Sequence, residues 1–81
     1  MPRTTLDVIY GEASWRVDTV AIDRARVLRG WSKGQLARAA KVDPKTVGNM
    51  LLGRRRPTLG TVRAVATSLD LPLGDVIVFD V

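Results

Sequence analysis

The sequence predicts a mainly α fold: a compact bundle of four to five helices, with short β-strands at one or both termini. Three observations carry that expectation. The chain has 81 residues, enough for one small domain that buries about 60–65% of the surface its unfolded form exposes. Helix start and stop signals follow one another closely between residues 16 and 75. Runs of β-forming residues occur only near the ends, at 5–10 and 76–81, and an isolated strand is not stable without a partner.

The elements can be justified in order. Thr5 to Tyr10 alternates in part and meets Gly11, so it reads as a short strand in an N-terminal arm over 1–15. Val17, Val20, Ala21 and Arg24 to Leu28 give a helical period over about 16–29, with Asp18 and Asp23 near its N-terminal half. Gly30 stops that helix. Ser32-Lys33-Gly34-Gln35 then forms a capping box, in which the Ser hydroxyl accepts from a backbone N–H and Gln reaches back to the cap. The helix it starts, 33–40, turns Leu36, Ala37 and Ala40 inward. Asp43 is a good N-cap and Pro44 suits N1, where its missing N–H costs nothing. They open a third helix, 44–52, with Val47, Met50 and Leu51 inward and Gly53 as its end. Only Lys41-Val42-Asp43 separates the second and third helices, so they must cross steeply with Val42 in the elbow. Thr58 caps a fourth helix, 59–69, whose inner side is Leu59, Val62, Val65, Ala66 and Leu69. Residues 71–76 fit one further turn. The apolar stretch 76–81 then reads as a strand, paired either with 5–10 or with its copy in a second chain.

Composition narrows the function. The chain has no Cys and no His, which excludes disulfides, zinc fingers, thiolate nucleophiles and His-based triads. Asp75 and Asp80 imply no basic partner or pocket, and no Gly-rich phosphate loop is present. We therefore expect no catalysis, no metal and no cofactor. The longest apolar run, Val76 to Phe79, is far too short to span a membrane. The start, Met1 to Thr5, lacks an apolar signal region, so a cytoplasmic protein is expected. Charge is informative by its placement. Residues 24–63 carry eleven Lys/Arg against Asp43 alone, whereas both flanks are net acidic. Such a block repels itself unless an anion offsets the repulsion, and nucleic-acid phosphate is the commonest one. Trp15 and Trp31 could stack on unpaired bases, but with 5% aromatic content core packing is the better reading for both.

Trp31-Ser32-Lys33-Gly34-Gln35-Leu36-Ala37, Val42, Thr46-Val47, Gly53, Pro57-Thr58-Leu59, Thr61-Val62, Ala66 and Leu69 together resemble the helix-turn-helix domain of phage repressor and Cro proteins (Xre-like). The resemblance covers about residues 20–77. It implies a DNA-binding domain over 16–75 in which helix 44–52 enters the major groove. The residues it would aim at bases are Pro44, Lys45, Thr46, Gly48 and Asn49. Helical geometry agrees for most of them, since Lys45, Thr46, Gly48, Asn49 and Leu52 lie opposite the inward side chains. The resemblance also implies phosphate contacts at the start of helix 33–40, where Lys33 and Gln35 stand. Arg54, Arg55 and Arg56 would straddle the backbone beside the groove, and Arg38 and Arg63 have weaker claims.

Two positions depart from the family pattern. Many members pair an Arg of the first helix with a Glu late in the recognition helix. Here Arg26 meets Leu51 instead, so Arg26 is expected to turn outward to phosphate rather than stay buried without an acid. Many members also have Gly in the turn where this chain has Lys41, which implies a left-handed residue held at a cost of about 1 kcal/mol.

A domain this small reads few base pairs, so the resemblance implies a homodimer on a palindromic double-stranded DNA site. Val76, Val78 and Phe79 are the expected dimer contact, within a C-terminal strand over 76–81. The implied function is a transcriptional regulator, a small Cro-like repressor of phage or bacterial-host origin, without the extra C-terminal domain of self-cleaving repressors. The alternatives are an antitoxin that represses its own operon while binding a toxin protein, and an RNA-binding or bridging module without sequence preference.

Overall fold

The computed structural model describes residues 15–54 and 57–79. Their order is β1 (Trp15–Val17), α1 (Thr19–Leu28), α2 (Lys33–Ala40), α3 (Pro44–Leu51), α4 (Leu59–Ser68), one 3-10 turn (Leu73–Asp75) and β2 (Ile77–Phe79). The mainly helical fold with terminal strands is the one the sequence predicts. The strand expected at 5–10 lies outside the described residues.

The N-terminal boundary of the first helix differs from expectation. Residues 15–17 are extended, and α1 begins at Thr19 because Asp18 is its N-cap, accepting from the Ala21 N–H at 3.0 Å. The strand so released pairs antiparallel with β2 in the register Trp15–Phe79, Arg16–Val78, Val17–Ile77. The Asp18 N–H donates to the Val76 carbonyl at 2.8 Å, which ties the start of the bundle to its end. The C-terminal strand therefore pairs within the chain.

All four helices stop in one way. A residue in the left-handed region follows the last turn, its N–H donates to the carbonyl three residues back, and the next N–H donates five residues back. Gly30 (φ 71°), Lys41 (φ 58°), Gly53 (φ 69°) and Asp70 (φ 56°) hold these positions. The longer bonds run from Trp31 to Arg26 (3.1 Å), Val42 to Ala37 (2.9 Å), Arg54 to Asn49 (3.0 Å) and Leu71 to Ala66 (2.9 Å). Lys41 thus occupies the left-handed position inferred for it, in the turn between α2 and α3. This satisfies carbonyls that a helix end otherwise leaves without a partner.

The core draws on every helix. Ile22 of α1, Leu36 and Ala37 of α2, Val47 and Met50 of α3, and Val62, Val65 and Ala66 of α4 are buried together with Trp15, Leu69 and Val76. Trp31, Val42 and Leu51 pack partly buried against it, so both tryptophans serve the core. No polar or charged residue is buried among the described residues. With its inner side fixed by Val47 and Met50, α3 can present only its opposite side to solvent.

Candidate nucleic-acid interface

Each turn of backbone near the proposed DNA face is set by a local cap. The Ser32 hydroxyl accepts from the Gln35 N–H at 3.1 Å, and the Ser32 N–H donates to Gln35 Oε1 at 2.7 Å. The Asp43 carboxylate accepts from the Lys45 N–H at 2.7 Å, with Pro44 at the first helical position. Thr58 Oγ1 accepts from the Thr61 N–H at 3.2 Å and donates to Thr61 Oγ1 at 3.0 Å. These bonds orient the amino ends of α2, α3 and α4 without using the outward side chains of Lys33 or Lys45.

The amino ends of α3 and α4 face each other across an open concavity of about 380 Å³, lined by Asp43, Lys45, Thr46, Asn49, Pro57, Thr58 and Thr61. Lys45 is exposed, and Thr46 and Asn49 are half-buried on the same rim. Their donors and acceptors are of the kinds that match base edges and phosphate oxygens. Pro44 is exposed at the tip. Gly48 stands beside Lys45 on the outer arc, on the side away from Asn49, and a Cβ built there meets nothing within 4 Å. Its φ is not in the left-handed range. Neither packing nor backbone conformation therefore requires glycine at 48, although glycine costs a helix interior about 0.5–1 kcal/mol relative to alanine.

The helix-turn-helix family model matches residues 22–76, from within α1 to the end of the 3-10 turn. The chain is a helix-turn-helix protein of the Cro/C1 type. Members of this family are DNA-binding transcriptional regulators. Searches of curated proteins and of solved structures returned no match. Among the described residues, no helix is long and apolar enough to cross a membrane.

In this Cro/C1-type domain, α2 and α3 form the helix-turn-helix, and of the five residues expected to face bases the concavity gathers Lys45, Thr46 and Asn49, while Pro44 and Gly48 do not line it. Lys33 is exposed at the start of α2, where it lines a depression with Thr19, Val20, Asp23 and Leu51, and Arg54 is exposed just after α3. Gln35 is exposed too, but its side-chain oxygen is taken by the capping box, leaving only its amide nitrogen for a phosphate. Arg55 and Arg56 lie outside the described residues. Arg38 lines a separate shallow depression with Lys41, Val42 and Pro44, and Arg63 is exposed on α4.

Two expectations are corrected. Arg26 does not turn outward. Its Nε and one terminal nitrogen donate to Asp23 Oδ1 at 3.0 and 2.8 Å, and the other donates to the Trp31 carbonyl at 2.7 Å. The side chain is only 15% exposed. The acid missing from α3 is replaced by one a single turn earlier on α1, so the guanidinium clasps the α1–α2 turn instead of a phosphate. Val76, expected at a dimer contact, is fully buried in the chain's own core. A side chain that the monomer encloses has no surface to offer a second copy. Val78 is half-buried in β2 and Phe79 is 53% exposed.

Sequence reasoning missed four residues of this face: Asp43, Pro57, Thr58 and Thr61. Asp43 stands beside Lys45 as the cap of α3, whereas Pro57, Thr58 and Thr61 come beside Lys45 and Asn49 through the packing of α4 on α2, which no local pattern expresses. The Arg29–Asp70 ion pair (2.6 Å), joining the ends of α1 and α4, was likewise hidden by sequence distance. Arg29 also lies over the Trp31 ring, 5.1 Å from its centroid.

Proposed function

We propose that the protein is a sequence-specific transcriptional repressor that binds a palindromic operator in double-stranded DNA as a homodimer, in the manner of a small Cro-type regulator in the cytoplasm of a bacterial host. The observation that carries this reading is the division of α3. Val47 and Met50 are buried, so the opposite arc of Lys45, Thr46, Gly48 and Asn49 is left at the surface with no fold role for Gly48. In the complex, Lys45 donates to guanine O6 or N7 and Asn49 pairs with adenine N6 and N7. Thr46 meets a thymine methyl or a phosphate. The missing side chain at Gly48 lets the helix backbone approach the groove. Lys33, the Gln35 amide, Arg54, Arg55 and Arg56 hold phosphates on either side, fixing register without reading sequence. The antitoxin alternative keeps this DNA face and adds a toxin protein as a second partner.

Selection of bound duplexes from a random pool tests the proposal. Enrichment of one palindromic site is expected, and Lys45→Ala or Asn49→Ala should relax the preference at one position per half-site by about 1–3 kcal/mol. Binding without any preferred sequence would instead support a bridging module and overturn the repressor reading.

A further inference from the structure

We infer that the outer face of α1 is the homodimer contact, a two-fold seam in which Val20 lies opposite the partner subunit's Val27 and Asp23 opposite the partner subunit's Arg24. The inference rests on the proposed homodimer and names the surface that forms it. Of the six exposed large apolar side chains among the described residues, three lie on this helix: Val20 (74% exposed), Val27 (59%) and Leu28 (77%). Val20 and Val27 are two helical turns apart, on the side opposite the buried Ile22. With Asp23 and Arg24 they line a shallow depression of about 330 Å³.

The order of residues along this face selects a second copy as the occupant. A two-fold axis perpendicular to the helix and passing between residues 23 and 24 places two such helices antiparallel. The same operation that matches Val20 with Val27 then matches Asp23 with Arg24, and sets Leu28 over the partner subunit's Thr19. One sequence thus supplies two valine–valine contacts and two pairs of opposite charge, while Leu28 meets the methyl-bearing side chain of a threonine. The charges are available: Arg24 makes no ion pair among the described residues, and Asp23 uses only Oδ1 for Arg26. DNA does not suit a face with one acid, one base and three aliphatics. The terminal strand is the poorer dimer surface, because Val76 is buried and one edge of β2 is occupied by β1.

The helix has ten residues, a length of about 15 Å, so the seam is smaller than the roughly 800 Å² per partner of a standard stable interface. Free protein should therefore self-associate weakly, and a palindromic duplex should draw the two copies together.

Cysteine pairing reads the seam directly, since the chain has no cysteine of its own. An oxidised mixture of Val20→Cys and Val27→Cys proteins should form the mixed disulfide in high yield. Either variant alone should not, because like positions are about 10 Å apart along the helix axis, beyond disulfide reach. Val27→Asp should weaken self-association in sedimentation at least tenfold, while binding of a single half-site and the melting temperature stay unchanged. Absence of the mixed disulfide overturns the inference, whether the protein is a monomer at every concentration, with α1 covered by residues 1–14 or left to another protein, or a dimer through another surface. Loss of half-site binding in well-folded Val27→Asp also overturns it, by placing α1 against DNA. Should the mixed disulfide form while no variant binds any duplex, the seam stands and the repressor reading falls.

Discussion

Replacing Gly48 by alanine separates what the fold needs from what DNA binding needs. A Cβ at this position meets no atom within 4 Å, and the backbone is helical, so the free protein gains helix propensity without strain. The expected gain is about 0.5–1 kcal/mol. For a domain of this size that raises the melting temperature by roughly 2–8 °C, readable by circular dichroism. On DNA the sign reverses. If the backbone at 48 lies in contact with the groove, an added methyl overpacks that contact at about 1–3 kcal/mol, which corresponds to a roughly five- to 150-fold weaker Kd. Fluorescence anisotropy with the selected duplex measures it. Tighter folding combined with weaker binding is the predicted result. Unchanged affinity would refute close approach at Gly48, and a lower melting temperature would refute the open space around it.

Three further substitutions test separate parts of the account. Arg26→Met removes the clasp on Asp23 and the Trp31 carbonyl, so urea unfolding should show a loss of about 1–3 kcal/mol; the salt dependence of DNA binding should not change, and a shallower slope would return Arg26 to the phosphates. Lys41→Gly relieves about 1–2 kcal/mol of left-handed strain against about 0.5–1 kcal/mol of added unfolded-state entropy, for a net gain of up to about 1.5 kcal/mol in the same assay. Arg54→Ala should lower the slope of log affinity against log salt by about one for every sequence alike; an unchanged slope would take Arg54 off the DNA backbone.

The helices were legible because their limits are local. Ser32 with Gln35, Asp43 with Pro44, and Thr58 announce starts within four residues of chain, and Gly30 and Gly53 announce stops. What the sequence hid depends on contacts made elsewhere. Val17 fits the period of α1 as well as any of its residues, and only pairing with Ile77 makes it a strand. Asp18 looked like an acid inside a first turn, whereas its side chain is the cap before it. Arg26 takes its acid not from α3 but from Asp23, three residues back on the same helix, where the two side chains are neighbours. Asp70 ends α4 in the left-handed region, which Asp tolerates better than most residues, but the local pattern carried no glycine to mark it. The rim of Lys45, Thr46 and Asn49 was accessible from helical spacing alone, while Thr58 and Thr61 joined it only through the packing of α4.

The central claim is that the amino ends of α2 and α3 meet the duplex. Titrating isotope-labelled protein with the selected duplex and following its backbone amide resonances tests this most directly. The account predicts the largest changes at residues 32–35, 43 and 45–49, with smaller ones at Thr58 and Thr61 and none on the exposed side of α4 around Arg63. Changes centred on α4, with Lys45 and Asn49 unmoved, would contradict it.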